Sequence, residues 1–149
     1  MTVTSKPVHE TTRSITRGVA KLLRNLDQVI ITEMPLVTGR RVDLIGIDRA
    51  GFVTIVEVKA TVANFKSDRK WQEYAEFCDS FYFAVAPEFP RELLPGDPEY
   101  GVIVADRFDA EILREATRLK LATTRRKAIT LRFARAAAAR LQELILPVK

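Results

Sequence analysis

The stretch from Arg41 to Thr61, RVDLIGIDRAGFVTIVEVKAT, constrains the fold more than any other part of the chain. Two short apolar runs flank the turn-prone Asp48-Arg49-Ala50-Gly51, the pattern of a β-hairpin. Three charges interrupt these runs: Asp43 in the first arm, Glu57 and Lys59 in the second. Side chains alternate across a strand, so Glu57 and Lys59 share a face. A turn centred on Ala50 pairs positions whose numbers sum to about 100, which sets Asp43 opposite Glu57. Carboxylates so placed have Cβ atoms about 5 Å apart and repel each other. Even with a lysine beside them they call for a counter-charge, and a divalent cation is the simplest one.

Which cation is set by what the chain lacks. Cys78 is the only cysteine and His9 the only histidine, and His9 lies in the polar leader. An intramolecular disulfide, a Cys/His zinc site and Cys-His or Ser-His chemistry therefore drop out, except through His9. A metal held by oxygen alone points to magnesium or manganese. The 149 residues fit a single domain with a sizeable core. No apolar run approaches the roughly 18 residues that span a bilayer. The start, MTVTSKPVHETTRS, lacks the layout of a signal peptide. Cytoplasmic residence, with no membrane partner, is the expectation.

Charge is distributed unevenly. Residues 107–149 carry 11 basic and 4 acidic side chains, whereas residues 1–106 carry 13 and 15. A basic final third on a near-neutral body reads as a phosphate-binding face or as a solvated helix surface.

Taken in order, residues 1–11 read as a loose leader. From Thr12 to Asp27 the spacing of Ile15, Val19, Leu22, Leu23 and Leu26 predicts an amphipathic helix. Strands are expected at Val29–Leu36, Arg41–Ile47 and Phe52–Ala60. A helix is expected from Asn64 to Phe77, then buried strands at Ser80–Ala86 and Tyr100–Ala105 around a proline-rich loop. Helices at Phe108–Leu121 and Ala128–Leu146 would complete a basic helical part at 107–149. The short turns make the first three strands antiparallel, and the helix after them permits a parallel crossover. The fold class is α/β: a mixed β-sheet in α-β-β-β-α-β order, flanked by helices, with a helical C-terminal extension.

An Asp on the second strand and Glu-x-Lys on the third, within VDLIGID and EVKAT, resemble the PD-(D/E)xK nuclease superfamily, whose members share the restriction-endonuclease-like fold. The helix SDRKWQEYAEF supports the likeness. More narrowly, RRVDLIGID, VEVK, KSDRKWQEY and CDSFYFAVA resemble the MmcB-type bacterial DNA-repair family, from about Thr12 to Asp106. The resemblance implies a magnesium- or manganese-dependent DNA nuclease acting in repair. Asp43 and Glu57 would be metal ligands together with the backbone carbonyl of Val58, and Lys59 would orient the attacking water. There are departures: Val42 replaces the signature proline, and the first helix offers no added carboxylate. Glu33 is the candidate substitute. A pairing sum of about 76 sets it opposite Asp43, and a sum of about 77 turns it to the other face.

Lys66, Arg69 and Lys70 are candidate DNA contacts or exposed helix charges. Gln72 and Tyr74 are candidates to support the site, with Tyr74, like Trp71, equally a core aromatic. Arg125, Arg126, Lys127 and Arg132, then Arg135 and Arg140, suit phosphate contacts better than catalysis. Two other functions fit the same chain: a non-catalytic nucleic-acid-binding module, or a repair-complex adaptor. In the latter the alanine-rich C-terminal helix docks on a second copy, forming a homodimer, or on a repair protein.

Overall fold

The hairpin forms as its pattern predicts, and the rest of the sheet is built outward from it. A computed structural model of the chain describes residues 7–66, 71–94 and 99–148. β2 (Arg41–Ile47) runs antiparallel to both β1 (Val29–Pro35) and β3 (Val53–Val58). β4 (Ser80–Val85) and β5 (Gly101–Ala105) continue parallel to β3, and β6 (Ala110–Arg114) closes the far edge antiparallel. All six strands lie in one sheet in chain order. The hairpin turn is fixed locally: Asp48 Oδ1 accepts the N–H groups of Ala50 and Phe52, and Gly51 takes the left-handed φ of 88° that the turn requires.

Every residue of β3 is buried, so both of its faces need a cover. One cover is α1 (Val8–Asn25), whose Ile15, Val19 and Leu23 pack with Leu44, Val56, Tyr82, Ala84 and Ile103. Fully burying one such side chain stabilises by roughly 1.5–3 kcal/mol. On the other face Ile45, Ile55, Phe81, Phe83 and Val102 meet α2 (Val62–Lys66), α3 (Trp71–Ala75) and α4 (Thr123–Ile145). Phe65 of α2 packs edge-on to Phe83, Tyr74 of α3 stacks on Phe81, and α4 contributes Ile129 and Phe133.

Several boundaries differ from the sequence expectation, among them the start of α4, at Thr123 rather than Ala128. α1 begins at Val8, behind Pro7, so the leader is shorter than residues 1–11. The helix expected at Asn64–Phe77 contains two short helices, and residues 67–70 lie outside those described. The helix expected at Phe108–Leu121 is absent; β6 stands there, and α4 alone is the helical part of 107–149. A turn decides it. Asp106 Oδ1 accepts the N–H groups of Phe108 and Asp109, and the Asp106 N–H donates to the Asp109 carbonyl. The chain is thereby folded back onto the open edge of β5. Ladder bonds there outweigh a weak helical spacing, with Ala110 and Ile112 leaning inward and Glu111 and Leu113 outward.

That turn rests on α1 at Gly18. A Cβ there would overlap the carbonyl oxygen of Asp106 and come within 2.6 Å of that of Asp109. Gly18→Ala is therefore expected to lower stability by about 1–3 kcal/mol, despite alanine's better helix propensity. Urea denaturation checks it, and a midpoint equal to or above wild type contradicts the packing described.

Besides Glu57 of β3, a second carboxylate is buried among the described residues. Asp79 is 2% exposed and lies just before β4. It accepts the N–H of Val53 at 2.8 Å and of Leu121 at 3.1 Å, and two guanidinium bonds from Arg126 at 2.8 and 2.7 Å. Arg126 also donates to the carbonyl of Gly51. Asp79 thus ties the start of β3, the approach to α4 and the hairpin turn together.

Candidate metal centre

The β2–β3 ladder runs from Ile47↔Val53 to Leu44↔Val56, the register that faces Asp43 with Glu57. At that next step side chains take over from the backbone ladder. The Asp43 N–H donates to Glu57 Oε1 at 3.0 Å, and the Val58 N–H donates to Asp43 Oδ2 at 2.7 Å. Each carboxylate is thereby fixed by a peptide group on or beside the other's strand. Glu57 is 7% exposed and Asp43 half-buried, so neither is an ordinary surface charge.

Burial disfavours the ionised forms of both. It pushes Glu57 up to about 8; the Asp43 charge adds to this, while the Asp43 N–H and Lys59 oppose it. Burial also raises Asp43, against the pull of the Val58 N–H. The charge of Glu33 pushes Asp43 further up, and Lys59 draws it down. Both shifts run in the same direction, toward the protonated acid, because burial is the largest cause in each. Lys59 is half-buried, its backbone N–H bonded to the Ala84 carbonyl and its Nζ 5.9 Å from the centre of the Phe83 ring.

These residues fit a hard divalent cation. Two carboxylates and solvent suffice for magnesium, which keeps several of its waters. Such an ion would hold both acids in their ionised form and offset the repulsion between them.

Glu33 stands beside this pair without completing it. Thr32↔Leu44 and Met34↔Val42 bracket Glu33 and Asp43 as opposites, the first of the two registers open to the sequence. Glu33 itself has a φ of 53°, leaves the ladder, and directs its exposed carboxylate to within 3.9 Å of the Arg41 Nε. Arg140 of α4 donates to the carbonyls of Thr32 and Glu33. Among the described residues no three carboxylate, histidine or cysteine side chains group closely enough to hold an ion. In this structure Glu33 therefore acts on Asp43 through its charge and is not a third carboxylate of the site.

The other expected site residues are scattered. Lys66 ends α2 exposed, while Arg69 and Lys70 lie outside the described residues. Gln72 is exposed on α3. Tyr74 is a core aromatic, corrected from a supporting role by its stacking on Phe81. Arg125 pairs with Glu76 at 3.1 Å, and Arg132 donates to the Pro35 carbonyl at 3.4 Å. Arg126 belongs to Asp79 and is corrected from phosphate contact to structural ion pair. Lys127 is exposed. Asp79 escaped the sequence reading; its signal was an acid set directly before the apolar run SFYFAVA.

A family model described as "DNA repair protein MmcB-like" matches residues 1–148. No curated protein matches the chain. Among solved structures, the SPO1766 protein of unknown function from Silicibacter pomeroyi is 42% identical, with a TM-score of 0.85. That match covers 97% of this chain and 95% of the other. A repair endonuclease from Pyrococcus abyssi matches over 62% of this chain and 43% of its own, at 16% identity and a TM-score of 0.36. A likeness that slight carries no argument.

Proposed function

Because the chain belongs to the MmcB-like family of DNA repair proteins, we propose that it is a metal-dependent deoxyribonuclease that hydrolyses phosphodiester bonds during repair. The observation that carries this reading is the Asp43–Glu57 pair, withdrawn from solvent, fixed by reciprocal backbone bonds and set beside Lys59. Asp43, Glu57 and the Val58 carbonyl would hold Mg²⁺ or Mn²⁺. A cation so held lowers the pKa of bound water and offsets phosphate charge.

The chain's own groups do the rest. The backbone bonds keep both carboxylates in place without solvent reorganisation, the condition under which electrostatic catalysis is most effective. The Lys59 ammonium orients the attacking water and balances charge developing on the phosphate oxygens. Lys66, Arg69, Lys70 and Lys127 contribute salt-sensitive contacts to the DNA backbone.

The test is a cleavage screen over branched, single-stranded and crosslinked DNA with Mg²⁺ or Mn²⁺, comparing wild type with Lys59→Ala. Cleavage is expected in wild type and is expected to fall by roughly 10²–10³-fold in the variant. Undiminished cleavage by purified Lys59→Ala would sink the assignment. Salt-sensitive DNA binding without any cleavage or manganese binding would make the chain a binding module instead.

A further inference from the structure

α4 covers the sheet with little of its length. Of its 23 residues only Ile129 and Phe133 are buried. Between the helix and the β1–β2 turn lies an open groove of about 720 Å³. Its lining is mostly apolar: Phe77, Ile129 and Ala136, with Val37 and Leu131 on its margins. Val37 is 72% exposed and Leu131 60%. Nearer the helix end Leu141, Leu144 and Ile145 are exposed as well, outside the lining of the groove. An open groove with so apolar a lining is the kind of surface that marks an interaction site.

The charges around the groove select the occupant. Arg132 and Arg135 also line it. Among the described residues Arg135 has no carboxylate partner, and Arg132 has only its 3.4 Å bond to the Pro35 carbonyl. Duplex DNA would meet the arginines but offers little to an apolar floor, since its backbone presents mainly phosphate and sugar. A second copy of α4 would bring six basic residues and one acidic residue against the same set, and like charges in apposition oppose association. An amphipathic helix satisfies both requirements. Its apolar residues at three- and four-residue spacing fill the groove, and its flanking carboxylates pair with Arg132 and Arg135, neither of which has a carboxylate partner among the described residues.

We propose that the groove between α4 and the β1–β2 turn is the docking site for an acidic amphipathic helix of a partner protein. The experiment uses the full chain and a fluorescein-labelled synthetic amphipathic helix with leucines on one face and glutamates beside them. A twin peptide carries lysine in place of glutamate. The acidic peptide is expected to bind at least about tenfold tighter than its twin, and Arg135→Glu and Leu131→Gln are each expected to weaken it about tenfold. Both substitutions are at exposed positions, and unchanged circular-dichroism melts confirm that the variants fold. Equal binding of the two peptides, no binding, or indifference to both substitutions overturns the proposal. Duplex DNA whose own binding is lost in Arg135→Glu and which displaces the peptide assigns the face to nucleic acid. Concentration-dependent sedimentation abolished by Leu131→Gln assigns it to a second copy. Either result also overturns it.

Discussion

Glu57→Gln is expected to remove metal-dependent cleavage, by roughly 10²–10³-fold or more, and yet to melt above wild type at pH 8 without metal. The two effects have one origin. In the fold the Glu57 carboxyl is raised from 4.5 to about 8, so between those values the unfolded chain releases a proton that the folded chain keeps. Stability of the metal-free protein must then fall as pH rises through that window. Glutamine keeps the oxygen that accepts the Asp43 N–H, and its amide can donate to the Asp43 carboxylate. It removes the charge that the burial resists. Below about pH 4.5 the two proteins should melt alike, and the gap should widen toward pH 8. Divalent metal should close the gap for wild type alone, since only wild type exchanges its proton for the ion. Thermal melts across this pH range, with and without Mn²⁺, read the result. A variant less stable than wild type at pH 8 would show that the carboxylate is not held at a cost to the fold. Such a cost is what a site kept for function rather than for stability displays.

Asp79→Ala should produce the largest loss of stability, about 3–5 kcal/mol, because truncating one member of a buried pair strands the other. Arg126 would lose both guanidinium bonds, and the N–H groups of Val53 and Leu121 would lose their acceptor. Burial raises the Asp79 carboxyl, but the Arg126 bonds and the two N–H donors outweigh it and hold the group below its ordinary range. The sign follows from linkage. The stabilisation is complete above the unfolded value of about 3.9 and is lost as pH falls through the lower folded value. The variant should accordingly show a flatter acid-unfolding limb, measured by fluorescence of Trp71 during acid titration. Retention of wild-type stability would refute the tying role of Asp79.

The strands were legible because period-two alternation and turn residues coincide from Val29 to Val58. The same pattern set the pairing sums that face Asp43 with Glu57. The buried carboxylate pair was legible for a related reason: charges are conspicuous inside an apolar strand. β6 was not. Ala110–Arg114 is only five residues long, and Ile112, Leu113, Ala116 and Leu119 fit a helix equally well. The Asp106 turn and the neighbouring strand β5 decide between them, and neither leaves a mark on the apolar spacing of the segment itself. The α4 arginines misled for the opposite reason. Their number suggested phosphate, but which of them is already engaged depends on carboxylates and carbonyls brought near only by folding, such as Asp79 for Arg126 and Glu76 for Arg125.

The left-handed turn of the backbone at Glu33 has a consequence for colloidal behaviour. β1 is a border strand of the sheet, and a straight border strand offers unpaired backbone groups to any passing chain. Here the ladder is interrupted at Glu33, and Pro35 ends the strand. The carbonyls of Thr32, Glu33 and Pro35 are occupied by Arg140 and Arg132. Part of the positive charge of α4 is therefore spent as a guard rail along this border, which keeps two copies of the sheet from joining edge to edge into a fibre.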